Sequence, residues 1–349
     1  MGCLRVCWRN PLMVHNDCIL TSGSNTMKLY FDSNIYGFIS ERKEDKVVRH
    51  FLDENGHTVE ASSNNLFEMY HIPDRAKCKQ ALRTLTTVAC SYESKPQSWR
   101  QAQEVLGEIK RFRPYWFRQP SSPKLIAEEK NFLRAHKENW EKAKELYIPH
   151  NSSTEAYRRD YENGVANTKI VQKTLRQRLL ENKMELSILS QAKNGKIDEV
   201  ITDNLLDDTE IFWRVNNMLA WFEAIARRNP SSRDYADWLL PYIRDDAFRT
   251  TTPSYSDFWL KQVRPQKVPK NRIAALADYY QMKYKITHGN AGDQMHACHL
   301  LDVDVFVTAD KTYCQVISEV KAHFPVCAKI VFVNRGVNSA LDELKRVLV

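Results

Sequence analysis

The spacing of apolar and polar residues changes period twice along the chain. Residues 28–32 are an almost unbroken apolar run, the pattern of a short buried strand. A helical pattern follows over about 41–54, and "GHTVEAS" then reads as a second strand. "SSNNLFEMYHI" opens with serines placed to cap a helix and carries apolar residues at 66, 67, 69, 70 and 72. From about 74 to 270 the period is helical, with patterns over 75–90, 98–112, 125–147, 153–193, 197–228 and 233–248. "RPYWFRQPSSPK", "IPHNSST", "RRNPSS" and "RTTTPSYS" interrupt them, and no fixed repeat period supports a solenoid. Alternation resumes after "VRPQKVPKNR": helices over 271–284 and 292–301, the strand "VDVFVTAD", the helix "TYCQVISEVKAHF", the strand "AKIVFVN" and a helix over 338–348.

Parallel strands need helical crossovers, so this alternation at both ends predicts an α/β fold with a parallel sheet flanked by helices. Neither end alone is large enough to cover both faces of such a sheet. The expected organisation is one α/β domain assembled from 27–73 and 271–349, interrupted by a large all-α insertion at 74–270. Residues 1–26 show no period and end in "TSGSNT"; they are expected to be a poorly ordered N-terminal extension, with Met27 as the natural start.

A chain of 349 residues with 43 % hydrophobic and 27 % charged positions can bury a substantial core. The net charge of +8 mildly favours a polyanionic partner. Eight cysteines lie scattered without a Cys-x-x-Cys pair, which fits reduced thiols better than a disulfide scaffold or zinc ribbon. No apolar run approaches the roughly 20 residues that span a bilayer. Gly2 and Cys3 sit where acylation sites occur, but Val6 lacks the required hydroxyl, and Arg9, Asn10, His15, Asn16 and Asp17 interrupt any signal-peptide core. A cytoplasmic protein with no membrane partner is expected.

Candidate chemistry concentrates in "GDQMHACHLLDVDVFVTADK". Ligand crevices of parallel sheets lie beyond the carboxyl ends of the strands, where Asp32 and Asp310 fall. Asp302 and Asp304 begin the strand that Asp310 ends, roughly 20 Å or more away, and read as ordinary surface carboxylates. Asp293 heads a helix, where an acid also serves as a simple cap. His296 lies one turn further on the same face; it could orient that carboxylate, touch a substrate phosphate, or simply be packed or solvated. His296, Cys298 and His299 do not make a zinc site, because the first two diverge on a helix and a structural site needs four ligands.

"YFDSN", "SSNNLFE", "GDQMH" and "VTAD", in that order and on those elements, together resemble the motifs of the PIN-domain nucleases. The resemblance covers 27–72 and 271–349 and implies a PIN-like fold whose Asp32, Glu68, Asp293 and Asp310 hold Mg²⁺ or Mn²⁺ for phosphodiester hydrolysis. It further implies that Asn34 and Thr308 brace those carboxylates or contact phosphate, and that the substrate is RNA, less readily DNA. The small members lack the long helical insertion. The chemistry agrees independently, since clustered acids tolerate one another only around hard cations, which activate water and stabilise charge on a phosphodiester.

Within the insertion, "EIKRFRPYWFRQPSSPK" gathers Lys110, Arg111, Arg113, Arg118 and Lys124 around Phe112, Tyr115, Trp116 and Phe117. Arg111, Arg113 and Trp116 are candidates to bind single-stranded RNA by phosphate contact and base stacking. The plainer alternative plugs the aromatics into the helical core. The leading expectation is a metal-dependent endoribonuclease whose helical insertion recognises substrate or holds an inhibitory or scaffold protein partner. The alternatives are a catalytically silent scaffold working through that insertion and a DNA nuclease.

Overall fold

The structure is a computed structural model that describes residues 26–148, 208–225, 237–244, 253–284 and 290–348, with the single positions 166 and 173. The N-terminal extension and the helix expected at 153–193 fall outside the described residues, apart from those two positions.

Five parallel strands form one sheet: β1 (Lys28–Phe31), β2 (Thr58–Ala61), β3 (Ser91–Tyr92), β4 (Val305–Thr308) and β5 (Lys329–Phe332), in the order β3-β2-β1-β4-β5. The two chain ends meet at its centre, where Leu29, Tyr30 and Phe31 pair with Val305, Phe306 and Val307. Successive strand residues point to opposite faces, and the packing follows that rule. Leu29, Phe31, Val305 and Val307 enter one core, whereas Tyr30 and Phe306 enter the other. These strands are buried on both sides, which is why they read as continuous apolar runs.

The first core is closed by helices α1 (Ser33–Arg42), α2 (Asp45–Glu54), α3 (Ser63–Tyr70) and α4 (Arg75–Val88), and by the C-terminal α12 (Ala340–Leu348). The second is closed by α5 (Gln97–Phe112), α7 (Asp208–Ile225), α8 (Pro253–Asp257) with a π-helical turn at Phe258–Gln262, α9 (Pro269–Gln281) and α11 (Lys311–His323). Helices α6 (Pro123–Lys144) and α10 (Asn290–Ala297) are the other long helices among the described residues. Trp213, Trp238 and Trp259 are fully buried beside Tyr30 and Phe306 in the second core. At about 1.5–3 kcal/mol per buried large side chain, this shared packing fixes the described middle segments onto the sheet.

Three expectations are corrected. The single helix expected over 41–54 is two, split at Lys43, which closes α1 in the left-handed conformation (φ 57°) without the glycine or asparagine that usually marks such an end. Helix α1 escaped the pattern reading although Asp32 caps it and Ile35, Tyr36, Phe38 and Ile39 form its buried stripe. Residues 91–92 pair with β2, so the sheet runs into the stretch assigned to an all-α insertion at 74; two residues are too short for any periodic signal. The helix expected over 292–301 instead tightens into a 3₁₀ turn at Cys298–Leu301. Among the described residues no helix is long and apolar enough to cross a membrane.

Candidate metal centre

The strand order reverses between β1 and β4, and the chain places its acids in the crevice beyond the carboxyl ends of these two strands. Asp32 follows β1 directly and is only 5 % exposed. Its Oδ1 accepts from the Ser33 backbone N–H at 2.7 Å, which starts α1. Its Oδ2 accepts from Asn34 Nδ2 at 2.6 Å and from Thr308 Oγ1 at 2.7 Å. Asn34 also accepts from the Ala309 backbone N–H at 2.8 Å, so it ties the end of β1 to the end of β4. Thr308 is fully buried, and both residues act as braces for Asp32; a phosphate contact by Thr308 is closed off.

Glu68 arrives on α3, whose start is fixed by a reciprocal cap between Ser62 and Asn65. Its Oε1 lies 3.1 Å from His296 Nε2 on α10. Gly292 leaves room for this approach: an added Cβ would stand 2.7 Å from Glu68 Oε1, so the carboxylate would have to move. His296 is 0 % exposed and its Nδ1 meets the Tyr30 hydroxyl at 2.5 Å. Burial removes it from the substrate-binding role considered for it and makes it part of the cluster instead. Ligand atoms of Asp32, Glu68 and His296 all lie within 4.8 Å of one another.

Asp293 and Asp310 stand outside that tight group but act on it. Asp293 Oδ2 accepts from Gln281 Nε2 at 2.6 Å, and its backbone carbonyl accepts from the Tyr313 hydroxyl at 2.6 Å. Burial, then the charge of Asp32, hold the Asp293 carboxyl well above the usual range, with Glu68 and Asp310 adding to the rise and His296 opposing it. Asp310 is exposed at the rim, where its Oδ1 accepts from the Tyr313 backbone N–H at 2.9 Å and caps α11.

The field inside the cluster is strongly coupled. Burial raises the Asp32 carboxyl, with Glu68 adding to the rise and His296 opposing it. Glu68 is also pushed up by burial, but the His296 charge and hydrogen bond and the Ser33 hydroxyl bring it below its usual value. Burial works against a charged His296, yet Glu68, Asp32 and Asp293 together lift it to about 9. Crowded buried acids held partly by an imidazolium are a set of donors that a divalent cation would relieve.

The basic aromatic stretch is elsewhere. Trp116 is 4 % exposed and packs on Tyr255 and Phe258, so it is core and not a stacking platform. Arg113 donates to Ser254 Oγ and to the Phe112 carbonyl and lies over Trp116, holding the turn together. Arg111 is exposed and covers Phe112. These residues sit at the C-terminal end of α5, whose N-terminal Gln97 reaches Glu93 and His299; a 16-residue helix separates the two ends by about 24 Å. Cys298 is buried against Gln101, and His299 stacks on Tyr30 at 4.0 Å. Asp302 pairs with Lys270 and Arg100, and Asp304 caps the Lys28 N–H, so neither joins the cluster.

No family model, curated protein or solved structure matches this chain. The sequence pattern passed over Tyr30, Ser33, Gln281 and Gly292. Only Gly292 carries a usable signal, a glycine within the first turn of a helix.

That glycine gives a direct test. Gly292→Ala drives a methyl group into Glu68 Oε1 and should weaken divalent-metal binding by about 10–100-fold, the usual scale for disturbing a ligand's support. Calorimetric Mn²⁺ titration alongside a thermal melt checks it; unchanged affinity would show that Glu68 is not held where metal binds.

Proposed function

We propose that the chain is a metal-dependent nuclease of PIN-like architecture that hydrolyses phosphodiester bonds, with RNA as substrate. The observation that supports it most is the meeting of Asp32, Glu68 and His296 within 4.8 Å at the sheet's switch point, with Asp293 and Asp310 alongside. The preference for RNA rests on the resemblance of the four acidic motifs, and the net charge of +8 suits a polyanion. Five unpaired cysteines among the described residues fit a reducing, cytoplasmic setting.

Mg²⁺ or Mn²⁺ at this site would supply a water activated for attack and positive charge for the phosphoryl oxygens. The chain's own part is positioning. Asn34 and Thr308 fix Asp32, while the Ser33 hydroxyl helps to fix Glu68. Asp293, anchored through Oδ2 by Gln281 and held above the ordinary carboxyl range by burial and by Asp32, adds a further acid beside the cluster. Asp310 stays exposed at the rim, where it caps α11.

Incubating the full-length protein with matched single-stranded RNA and DNA, in Mn²⁺ or Mg²⁺ and again with EDTA, tests the reading. Metal-dependent cutting of RNA is expected. Cutting of DNA alone would replace the substrate, and intact substrates under every condition would favour a silent scaffold.

A further inference from the structure

Hydrogen-bond directions around His296 can be assigned one after another. Asn65 Nδ2 donates to the Phe31 carbonyl, which can only accept, and to Ser33 Oγ, both at 3.1 Å. That turns Asn65 Oδ1 toward Ser62, where it accepts from the Ser62 backbone N–H and from Ser62 Oγ, both at 3.0 Å. The single hydroxyl proton of Ser62 is thereby committed. Ser62 Oγ must accept from Tyr30, so the Tyr30 hydroxyl donates across 2.8 Å. The Tyr30 oxygen then accepts, and His296 Nδ1 carries the proton it shares with it. The whole chain is buried, so water does not offer these groups other partners.

His296 Nε2 is what remains, facing Glu68 Oε1 at 3.1 Å. With Nδ1–H already committed, Nε2 either bears a second proton or presents a bare lone pair to a carboxylate. Two acceptors at that distance repel unless a cation sits with them. An imidazolium there would in turn oppose a divalent ion about 4 Å away by several kcal/mol at an effective dielectric of about 20. Proton and metal ion are thus alternative occupants of one slot. A histidine whose Nδ1–H is fixed by an outer partner while Nε2 faces carboxylates has the arrangement general to metal-bound histidines.

The geometry points to His296 Nε2 as a metal ligand beside Asp32 and Glu68, with Tyr30 as its positioning residue, in a site that prefers a first-row transition ion such as Mn²⁺ to Mg²⁺. Imidazole suits transition ions, whereas Mg²⁺ keeps to oxygen ligands and water. This assignment rests on the metal-dependent reading of the cluster and names the class of ion it takes.

Pulsed electron paramagnetic resonance of Mn²⁺ bound to the full chain tests it, with affinities for Mn²⁺ and, by competition, Mg²⁺. Coupling to a directly bound imidazole nitrogen is expected in the wild type and in Tyr30→Phe, and should vanish in His296→Gln. Tyr30→Phe keeps the ring stacked on His299 and should weaken Mn²⁺ by about 10–100-fold. His296→Gln should weaken Mn²⁺ by at least as much and Mg²⁺ by clearly less. Mn²⁺ bound without nitrogen coupling, or Mg²⁺ bound more tightly than Mn²⁺, would overturn the assignment and leave the carboxylate site standing. A wild-type protein that binds neither ion would overturn both.

Discussion

Asp32→Asn is expected to lower metal-dependent cleavage on the order of 10³-fold while leaving the protein folded. The activity loss follows from position. Asp32 is the acid that β1 delivers to the sheet's switch point, it belongs to the one tight donor group among the described residues, and asparagine removes its charge. Removing a single preorganised charge-stabilising group commonly costs about 10²–10³ in rate, and a metal ligand lies at the upper end. The fold should survive because asparagine caps a helix as well as aspartate does, so the Ser33 N–H keeps its acceptor. Two contacts change, since an amide nitrogen in place of Oδ2 would face the donors Asn34 Nδ2 and Thr308 Oγ1; the hydroxyl can turn to accept, which leaves the clash with Asn34. That costs about 1–2 kcal/mol, well inside the stability of a domain. Single-turnover cleavage and circular dichroism on the same preparation check both halves. Activity within tenfold of wild type would remove Asp32 from the mechanism.

Metal-free protein should lose stability as pH rises, and metal should cancel much of that loss. His296 is lifted from its ordinary value near 6.5 to about 9, so its stabilising contribution is complete below 6.5 and gone above 9. Asp293 and Asp32 are also raised, so the folded state binds their protons more tightly and their contributions fade as pH climbs through the raised values. Glu68 is lowered, and its contribution is lost only at acid pH, below this window. Within the cluster the effects in the window share one sign, on the order of 3 kcal/mol for His296 alone, and this outweighs the small opposite contribution of His57, His136 and His299 near pH 6.5. Melting temperature without metal should therefore fall between about pH 6.5 and 8.5. Saturating Mn²⁺, which stabilises by about 3 kcal/mol at a hundredfold excess over Kd, should raise it most at the alkaline end. A metal-free profile that is flat or rises with pH would refute the assigned charge state of the cluster.

The parallel sheet was legible because β1 and β4 are buried on both faces and their sequences, "KLYF" and "VFVT", have almost no polar interruption. Asp32, Glu68, Asp293 and Asp310 were legible as acids at strand or helix ends. Their unequal roles were not, because only the fold decides that Asp310 caps α11 at the rim while Asp32 is enclosed. In the sequence His296 stands one turn from Asp293, but what defines it is Tyr30, 266 positions away. No local periodicity encodes that distance. Strand β3 and the break at Lys43 were hidden for the opposite reason, being too short or lacking the usual residue for their conformation. Trp116 shows the limit of composition: arginines interleaved with aromatics describe a packed turn as well as a binding surface.

The pairing of β1 with β4 brings residue 32 beside residue 308, and everything between must be made before the two can touch. During synthesis Asp32 and Glu68 leave the ribosome long before His296, Asp293 and Thr308 exist. An unfinished chain therefore carries two carboxylates and no cage to hold them. If the proposed nuclease reading holds, the topology of the sheet doubles as a safety catch: the cluster cannot close until the chain has been made past residue 308.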